Sequence, residues 1–328
     1  MKLRFRRSST LILLSFAAAL PGLTPPAHAQ KSGKLLTDSP AGHAMVVSAN
    51  LKASFGKRYI NSSGPRMKKF VVRLLDHIHE RGGLWKPDVL MLQEVLNRRF
   101  KGGTIADDLS ARRVASELTR LTGDQYAIVV DPGKRQRPAK GVSKETAIVA
   151  NLETMRWPTA AGFVNSNAFK RKFKFKGPGP RGGGRAPSRR QAWAVIEEAD
   201  PKGVVFPVAS VHFLTDKRLG CTKGAPCQPK VNRLKARWSA GVSGTLRARS
   251  GDAFKRAVIG GDWNATRKER WFGDMIGLGY RKAIRGRIDY IFTRGEIGLT
   301  GIDDSRHTGR GAYPLGYSDH RFLWAGVG

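Results

Sequence analysis

The chain has 328 residues, with 59 Lys plus Arg against 25 Asp plus Glu and a formal net charge of +34 at pH 7. That length is ample to bury a core unaided, and no segment is apolar for long enough to span a bilayer. A field of this sign attracts polyanions, so nucleic acid, an anionic membrane or an acidic cell-wall polymer are the expected partner classes, and no stable protein partner is implied.

The N-terminus reads as an export leader. Lys2, Arg4, Arg6 and Arg7 precede a short apolar run from Leu11 to Leu20, and Ala27-His28-Ala29 supplies the small-x-small cleavage pattern. Cleavage after Ala29 predicts a secreted protein whose charge, less the leader's four bases, is +30. The Arg6-Arg7 pair hints at twin-arginine export, but the residues after it fit that route poorly. Residues 30–42 are expected to be a flexible tail, and 43–328 a single domain.

His43 to Ala49 reads as a buried strand that delivers Asn50 to its end. A helix follows Pro65, with Met67, Phe70, Val71, Leu74, Leu75 and Ile78 on one face, and Gly82-Gly83 stops it. Asp88 to Leu92 is the next strand, with Gln93 and Glu94 at its tip. Thr104, with Asp107 three residues on, marks a helix start. That helix runs to about Leu121 on Ala111, Val114, Leu118 and Leu121. Strands then follow at Tyr126–Val130, Thr146–Ala150, Trp193–Ile196 and Val204–Phe213. A helix after Pro229 turns Val231, Leu234, Trp238, Val242 and Leu246 inward. Short strands at Ala257–Ile259, Ile288–Phe292 and Phe322–Ala325 close the chain. Interleaved helices and strands without a long linker point to one α/β domain with two central sheets.

One segment interrupts this order. Lys170 to Arg190 holds nine Lys/Arg and no acid, with Gly-Pro-Gly-Pro and three consecutive glycines, a composition that predicts a mobile surface loop. Lys170, Arg171, Lys172 and Lys174 stand among Phe169, Phe173 and Phe175, a mix suited to phosphate contact with base stacking, or to an anionic membrane. Cys221 and Cys227 are expected to close one small disulfide loop in an exported protein; two cysteines without a nearby His pair make a poor zinc site.

Polar residues capable of phosphoryl chemistry recur at strand ends, where a rigid element aims a side chain that a loop leaves accessible. Asn50 ends the first strand, Glu94 the second, and Glu145 precedes the strand at Thr146. His212 ends a buried run in Ser-Val-His-Phe, and Asp262 and Asn264 lie in Gly-Gly-Asp-Trp-Asn. Asp289 lies in Ile-Asp-Tyr, and Asp319-His320 follow Tyr-Ser. Taken singly, each reads more readily as a turn or a satisfied core residue. Together they are hard to obtain by accident.

This ordered set, spanning Asn50 to His320, resembles the endonuclease/exonuclease/phosphatase superfamily, which includes pancreatic-type deoxyribonucleases, abasic-site endonucleases, neutral sphingomyelinases and inositol-phosphate 5-phosphatases. The resemblance implies a four-layer α/β sandwich of two packed sheets with the site at one edge. It implies Mg²⁺, with Mn²⁺ or Ca²⁺ as substitutes, held by Glu94 with Asn50 and Asp319. It further implies that Asp289 orients His320, that Asp262 orients or deprotonates water, that Asn264 holds phosphate, and that His212 donates to phosphate with Glu145 as its partner. Pancreatic-type enzymes place a groove-reading arginine just beyond the metal glutamate. Here that stretch reads Val-Leu-Asn-Arg98-Arg99, so either arginine serves only with an altered loop.

The resulting expectation is a secreted, metal-dependent phosphodiesterase acting on DNA or RNA, with an endonuclease mode favoured. A sphingomyelinase-like or phosphoinositide-directed enzyme at a membrane surface is the alternative within the family. A non-catalytic polyanion-binding protein is the alternative outside it.

Overall fold

Two of the strand pairs run parallel, and they set the architecture. In the computed structural model, which describes residues 35–51, 63–95, 110–131, 145–165, 190–200, 203–215, 221, 228–265, 270–286, 288–302, 320 and 322–328, β1 (Ala44–Asn50) lies parallel to β2 (Val89–Val95). The crossover between them is α1 (Ser63–Glu80). After β2 come α2 (Ser110–Thr122), β3 (Tyr126–Val130), β4 (Glu145–Asn151) and β5 (Ala160–Asn165). Then β6 (Arg190–Glu197) leads to β7 (Val205–His212), which is parallel to β8 (Val258–Asp262) across α3 (Gln228–Ser250). The chain ends with α4 (Arg270–Gly277), β9 (Arg281–Arg285), β10 (Asp289–Thr293), β11 (Ile297–Ile302) and β12 (Leu323–Val327).

Among the described residues each sheet has six strands, in the orders β11-β12-β1-β2-β4-β3 and β5-β6-β7-β8-β10-β9. In both, one central parallel pair is flanked by antiparallel neighbours. A parallel pair joined by a helix must present both carboxyl ends on the same side. The ends of β1, β2, β7 and β8 therefore meet at one pole of the sandwich, together with the starts of the antiparallel strands β10 and β12.

The period-two alternation of strand side chains sorts the core into layers. Val46, Met91, Val208, Val258, Ile291 and Leu323 fill the space between the sheets. Met45, Val47, Leu90 and Leu92 face the other way, onto Phe70, Val71, Leu74 and Ile78 of α1 and Val114 and Leu118 of α2. Trp193, Val211, Ile259 and Phe292 do the same towards Val231, Trp238, Val242 and Leu246 of α3. This is a four-layer α/β sandwich of two packed sheets.

Three expectations change. Residues expected in a loose tail are anchored: Leu36 is buried in the core, Thr37 bridges to Trp85, and Ser39 donates to Asp88 at 2.5 Å. The two glycines before Asp262, readable as a turn, lie inside β8. Strand β2 runs on through Gln93 and Glu94 to Val95, instead of ending before them. The Thr104 helix start, the basic segment up to Arg189, Arg98, Arg99, Asp319 and Cys227 lie outside the described residues. Cys221 is buried beside α3, and the expected pairing with Cys227 lies outside with its partner.

The Gly-Gly pair has a steric reason. A Cβ on Gly261, whose φ is 154°, would lie 1.9 Å from the Val211 carbonyl oxygen. One on Gly260 would lie 2.4 Å from Met91 Cε on the facing sheet. The backbone obstacle at Gly261 cannot yield as a methionine tip can. Gly261→Ala is expected to destabilise the fold by about 3 kcal/mol, against a smaller loss for Gly260→Ala; urea unfolding monitored by tryptophan fluorescence tests the order.

Candidate active site

The inter-sheet layer changes character along its length. Apolar Val46, Met91 and Val208 give way to Ser48, Gln93 and Ser210, all buried. Gln93 Nε2 donates to Ser210 Oγ at 3.0 Å, and Ser210 Oγ donates to the Leu92 carbonyl at 2.9 Å, so a polar rung ties the two sheets together. One more step along the same faces brings Asn50, His212 and Asp262 to the pole. They share the parity of the inter-sheet core, and this is why they point between the sheets and away from the helices.

Glu94 has the opposite parity and would face α1 in a regular strand. The β2–β4 register shifts between Leu92 and Val95, and Glu94 sits there at φ 50°. The bulge re-aims its carboxylate into the site. Asn264, at φ 47°, is the other non-glycine residue in the left-handed region among the described residues. Backbone held in this way at a polar cluster marks a place where side-chain direction matters more than local stability.

Asp262 is the hub. It is 1 % exposed. Its Oδ2 accepts from Asn50 Nδ2 at 3.1 Å and Asn264 Nδ2 at 3.0 Å, and its Oδ1 accepts from the Asn264 N–H at 2.8 Å. His212 Nε2 lies 3.3 Å and His320 Nε2 3.7 Å from the same Oδ2. Burial alone would raise this carboxyl. The hydrogen bond and charge of His212, the charge of His320 and the Asn264 N–H outweigh it and hold the group down at about 2.

Two further carboxylates complete the cluster. Glu94 Oε1 lies 3.6 Å from His212 Nε2, and His320 Nδ1 lies 3.0 Å from both oxygens of Asp289. Glu94, His212 and Asp262 present ligand atoms within 4.8 Å of one another, as do Asp262, Asp289 and His320. Seven of the residues singled out in the sequence thus converge: Asn50, Glu94, His212, Asp262, Asn264, Asp289 and His320. Glu145 opens β4 opposite Val95; its side chain, and with it the expected Glu145–His212 contact, lies outside the description. The partners seen for His212 Nε2 are Asp262 and Glu94. The Asn264 NH₂ group donates to Asp262 and to the Phe213 carbonyl at 2.8 Å.

Two supporting residues went unseen in the sequence. Gln191 on β6 accepts from the His212 N–H at 2.6 Å and donates to the His212 carbonyl at 3.2 Å, clamping that backbone from the neighbouring strand. Lys235 on α3 is fully buried and donates to the Asn264 carbonyl at 2.7 Å, which supports the left-handed residue. Lys235 did carry a signal: it falls on the apolar face of α3, between Val231 and Trp238. Gln191 offered none, since its role depends on strand pairing.

Buried carboxylates, imidazoles and amides converging at the carboxyl edge of an α/β sandwich define a phosphoesterase fold. The chain belongs to the endonuclease/exonuclease/phosphatase family, whose profile matches residues 47–320. Its fold is similar to that of an endonuclease/exonuclease/phosphatase from Bacteroides vulgatus (TM-score 0.58, 13% identity, covering 87% of this chain and 98% of that chain). It is also similar to a family protein from Leptotrichia buccalis (TM-score 0.52, 13% identity, covering 87% and 99%). A mannosyl-6-phosphatase from Bacteroides thetaiotaomicron is comparable (TM-score 0.53, 14% identity, covering 86% and 98%). At these identities the likeness concerns the fold. No curated protein matches the chain.

The depressed carboxyl of Asp262 has a signed consequence. A folded value near 2 lies below the ordinary 3.8, so its contribution to stability is present above the unfolded value and is lost as pH falls through the folded one. The stability gap between the wild type and Asp262→Asn, measured by urea unfolding in EDTA, should narrow by on the order of 2 kcal/mol from about pH 5 to about pH 2. A gap independent of pH would show that Asp262 is not held ionised by its neighbours.

Proposed function

We propose that this protein is an exported, divalent-metal-dependent phosphodiesterase that hydrolyses nucleic acid. The observation that carries the chemistry is the crowding of two imidazoles, two amides and the Glu94 carboxylate around the buried Asp262 carboxylate. The substrate class rests on the charge of +34, which favours a polyanion over a small neutral ester. The leader-like N-terminus supports export.

The donor set fits a hard divalent cation. Glu94 and Asp262 are buried carboxylates and Asn50 a buried amide, an oxygen set of the kind Mg²⁺ takes together with water and phosphate, with Mn²⁺ or Ca²⁺ as substitutes. Asn50 binds Asp262 through its NH₂, so its carbonyl oxygen is the end turned away from that carboxylate. Glu94 with Asn50 would hold the ion, with Asp319 as a further ligand. When bound, the ion neutralises phosphate oxygens and the charge that builds on the leaving oxygen.

The protein groups divide the remaining work. Asp289 accepts from His320 Nδ1–H, which leaves Nε2 of the neutral ring as the acceptor. His320 Nε2 therefore takes the proton from the attacking water, and Asp289 stabilises the imidazolium that results. Asp262, whose oxygens already accept from Asn50 and twice from Asn264, is the poorer base. It instead orients the water and keeps the Nε2 edge of the His212 ring turned to the site, where the ring's N–H passes to a non-bridging phosphate oxygen once substrate is bound. Asn264, Lys235 and Gln191 act through these groups as positioning residues.

Glu94→Ala is expected to lower plasmid cleavage in Mg²⁺ by at least ~100-fold, with retention on heparin unchanged because the polyanion-attracting surface is intact. Cleavage retained in that variant removes Glu94 from the metal site. Plasmid, RNA, a sugar phosphomonoester and sphingomyelin offered side by side to the wild type test the substrate class; hydrolysis of the ester or the lipid in preference to both nucleic acids overturns the nuclease reading.

A further inference from the structure

The bulge that turns Glu94 into the site is fastened to the facing sheet on both of its strands. In the β2–β4 ladder Leu92 pairs with Ala147 and Val95 with Glu145. Gln93 and Glu94 together therefore oppose Thr146 alone. A bulge is one extra residue in one strand, and its place decides which side chains change face. With the bulge elsewhere, Glu94 would sit in regular strand and point into the layer of α1. The direction of this carboxylate is thus a question of what holds the bulge where it is.

Gln93, Thr146 and Ser210 are fully buried polar side chains, and all three lie in the layer between the sheets. They share strand parity there with the apolar Met91, Ile148 and Val208. Gln93 Nε2 donates to the Met91 carbonyl at 2.7 Å and to Ser210 Oγ at 3.0 Å. Ser210 Oγ donates in turn to the Leu92 carbonyl at 2.9 Å, the last residue of β2 before the bulge. Across the ladder, Thr146 Oγ1 accepts from the Ala192 N–H at 2.7 Å and donates to the Arg190 carbonyl at 3.1 Å. Those two residues of β6 flank Gln191, whose side chain clamps the His212 backbone. Both strands of the bulge are in this way bonded to the sheet that carries His212 and Asp262.

The apolar part of the same layer cannot do this. Burial of apolar surface is non-directional, so it brings the sheets together without choosing one bulge position over the next. Hydrogen bonds weaken steeply when their angles are lost, and a buried polar group left unbonded is costly. Displacing the bulge by one residue would break the bonds of Gln93, Thr146 and Ser210 together. Replacing a buried polar pair by apolar groups of the same shape can be nearly neutral for stability. What apolar residues could not supply here is direction.

We infer that Gln93, Thr146 and Ser210 are positioning residues: they fix the β2 bulge, aim the Glu94 carboxylate, and through it set the affinity of the site for its divalent cation. The inference rests on the reading of Glu94 as a metal ligand and deepens it, by naming the residues that act on the cation without touching it. Outer residues that orient a metal ligand are worth roughly 10- to 100-fold in affinity.

The test reads cation binding directly, apart from turnover. Free Mn²⁺ is followed by electron paramagnetic resonance as it is titrated into the full-length wild type, Ser210→Ala, Gln93→Leu, Thr146→Val and Thr146→Ser, and into the same set built on Glu94→Gln. Urea unfolding monitored by tryptophan fluorescence checks that each variant is folded; if Ser210→Ala or Gln93→Leu is not, the Thr146 pair carries the comparison. The Mn²⁺ dissociation constant is expected to rise about tenfold in Ser210→Ala, Gln93→Leu and Thr146→Val. Thr146→Ser, which keeps the hydroxyl, should bind as the wild type does. On Glu94→Gln the rises should vanish, because the ligand being aimed is already lost, and this coupling is something a general loosening of the fold would not produce. If Glu94→Gln weakens binding and the other substitutions do not, the inference fails while Glu94 keeps its place in the metal site. Equal rises in both backgrounds show that the three residues act on the fold as a whole, and overturn it. If Glu94→Gln binds Mn²⁺ as tightly as the wild type, the metal reading of Glu94 and the inference fall together.

Discussion

A carboxylate shut away from water is expensive unless its surroundings replace the lost hydration. Asp262 imposes that constraint here. Its replacement solvent is assembled from distant parts of the chain: an amide from the end of β1, an imidazole from β7, a second imidazole preceding β12, and the amide and N–H of Asn264. His212 and Asn264 reach the carboxylate from the same sheet, but Asn50 and His320 come from the other and arrive only when the two sheets pack closely. The glycines at 260 and 261 allow the strand bearing Asp262 to lie against Val211 on one side and to face Met91 across the layer. The same glycines that admit the carboxylate to the interior let its partners reach it, so the sheet contact and the electrostatics of the site are one requirement.

That requirement explains where strain and unusual burial occur. Glu94 and Asn264 occupy left-handed backbone that a glycine would adopt at lower cost. At Glu94 the gain is direction, since a regular strand would send the carboxylate into the layer of α1. At Asn264 the gain is that the residue doubles back to bind Asp262 through both backbone and side chain. Each strained position has its support. The β2 bulge is braced by the Gln93–Ser210 rung, and the Asn264 carbonyl by a lysine taken wholly out of water. A buried ammonium is costly in the same way as a buried carboxylate, and a lysine at this place makes sense as one element of a charged interior centred on Asp262.

Much of this was legible because strand ends are legible. A short apolar run followed by Asn50, His212 or Asp262 states both the element and the exposure of its last residue, and the helix faces of α1, α2 and α3 follow from their spacing. β5, β9, β11 and α4 were missed for physical reasons. β9 reads Arg-Lys-Ala-Ile-Arg and lies at a sheet edge, where one side needs no apolar partner and charge guards against further pairing. β11, also an edge, is broken by two glycines. What no local pattern could carry was the company each site residue keeps. His212 Nε2 meets Asp262 and Glu94, neighbours that no run of sequence around it displays. The Asn264 NH₂ bridges Asp262 and the Phe213 carbonyl, a link from one strand end to the next. Gln191 draws its role from the register of β6 on β7, and register belongs to pairs of strands.

The charge distribution bears on why so basic a chain holds together at all. A net charge far from zero works against compactness through self-repulsion, and scattering the 25 acids evenly among the bases would reduce it most. Among the described residues, several acids are used as fastenings: Lys86 pairs with Asp124 at 2.7 Å and Asp38 at 3.0 Å, and burial pushes the Asp88 carboxyl, which holds Ser39 and Thr154, up to about 6. Stability comes from the layered apolar core and from acids used as fastenings. The excess of base over acid remains, and a polyanion that settles on such a chain relieves the repulsion the fold has accepted.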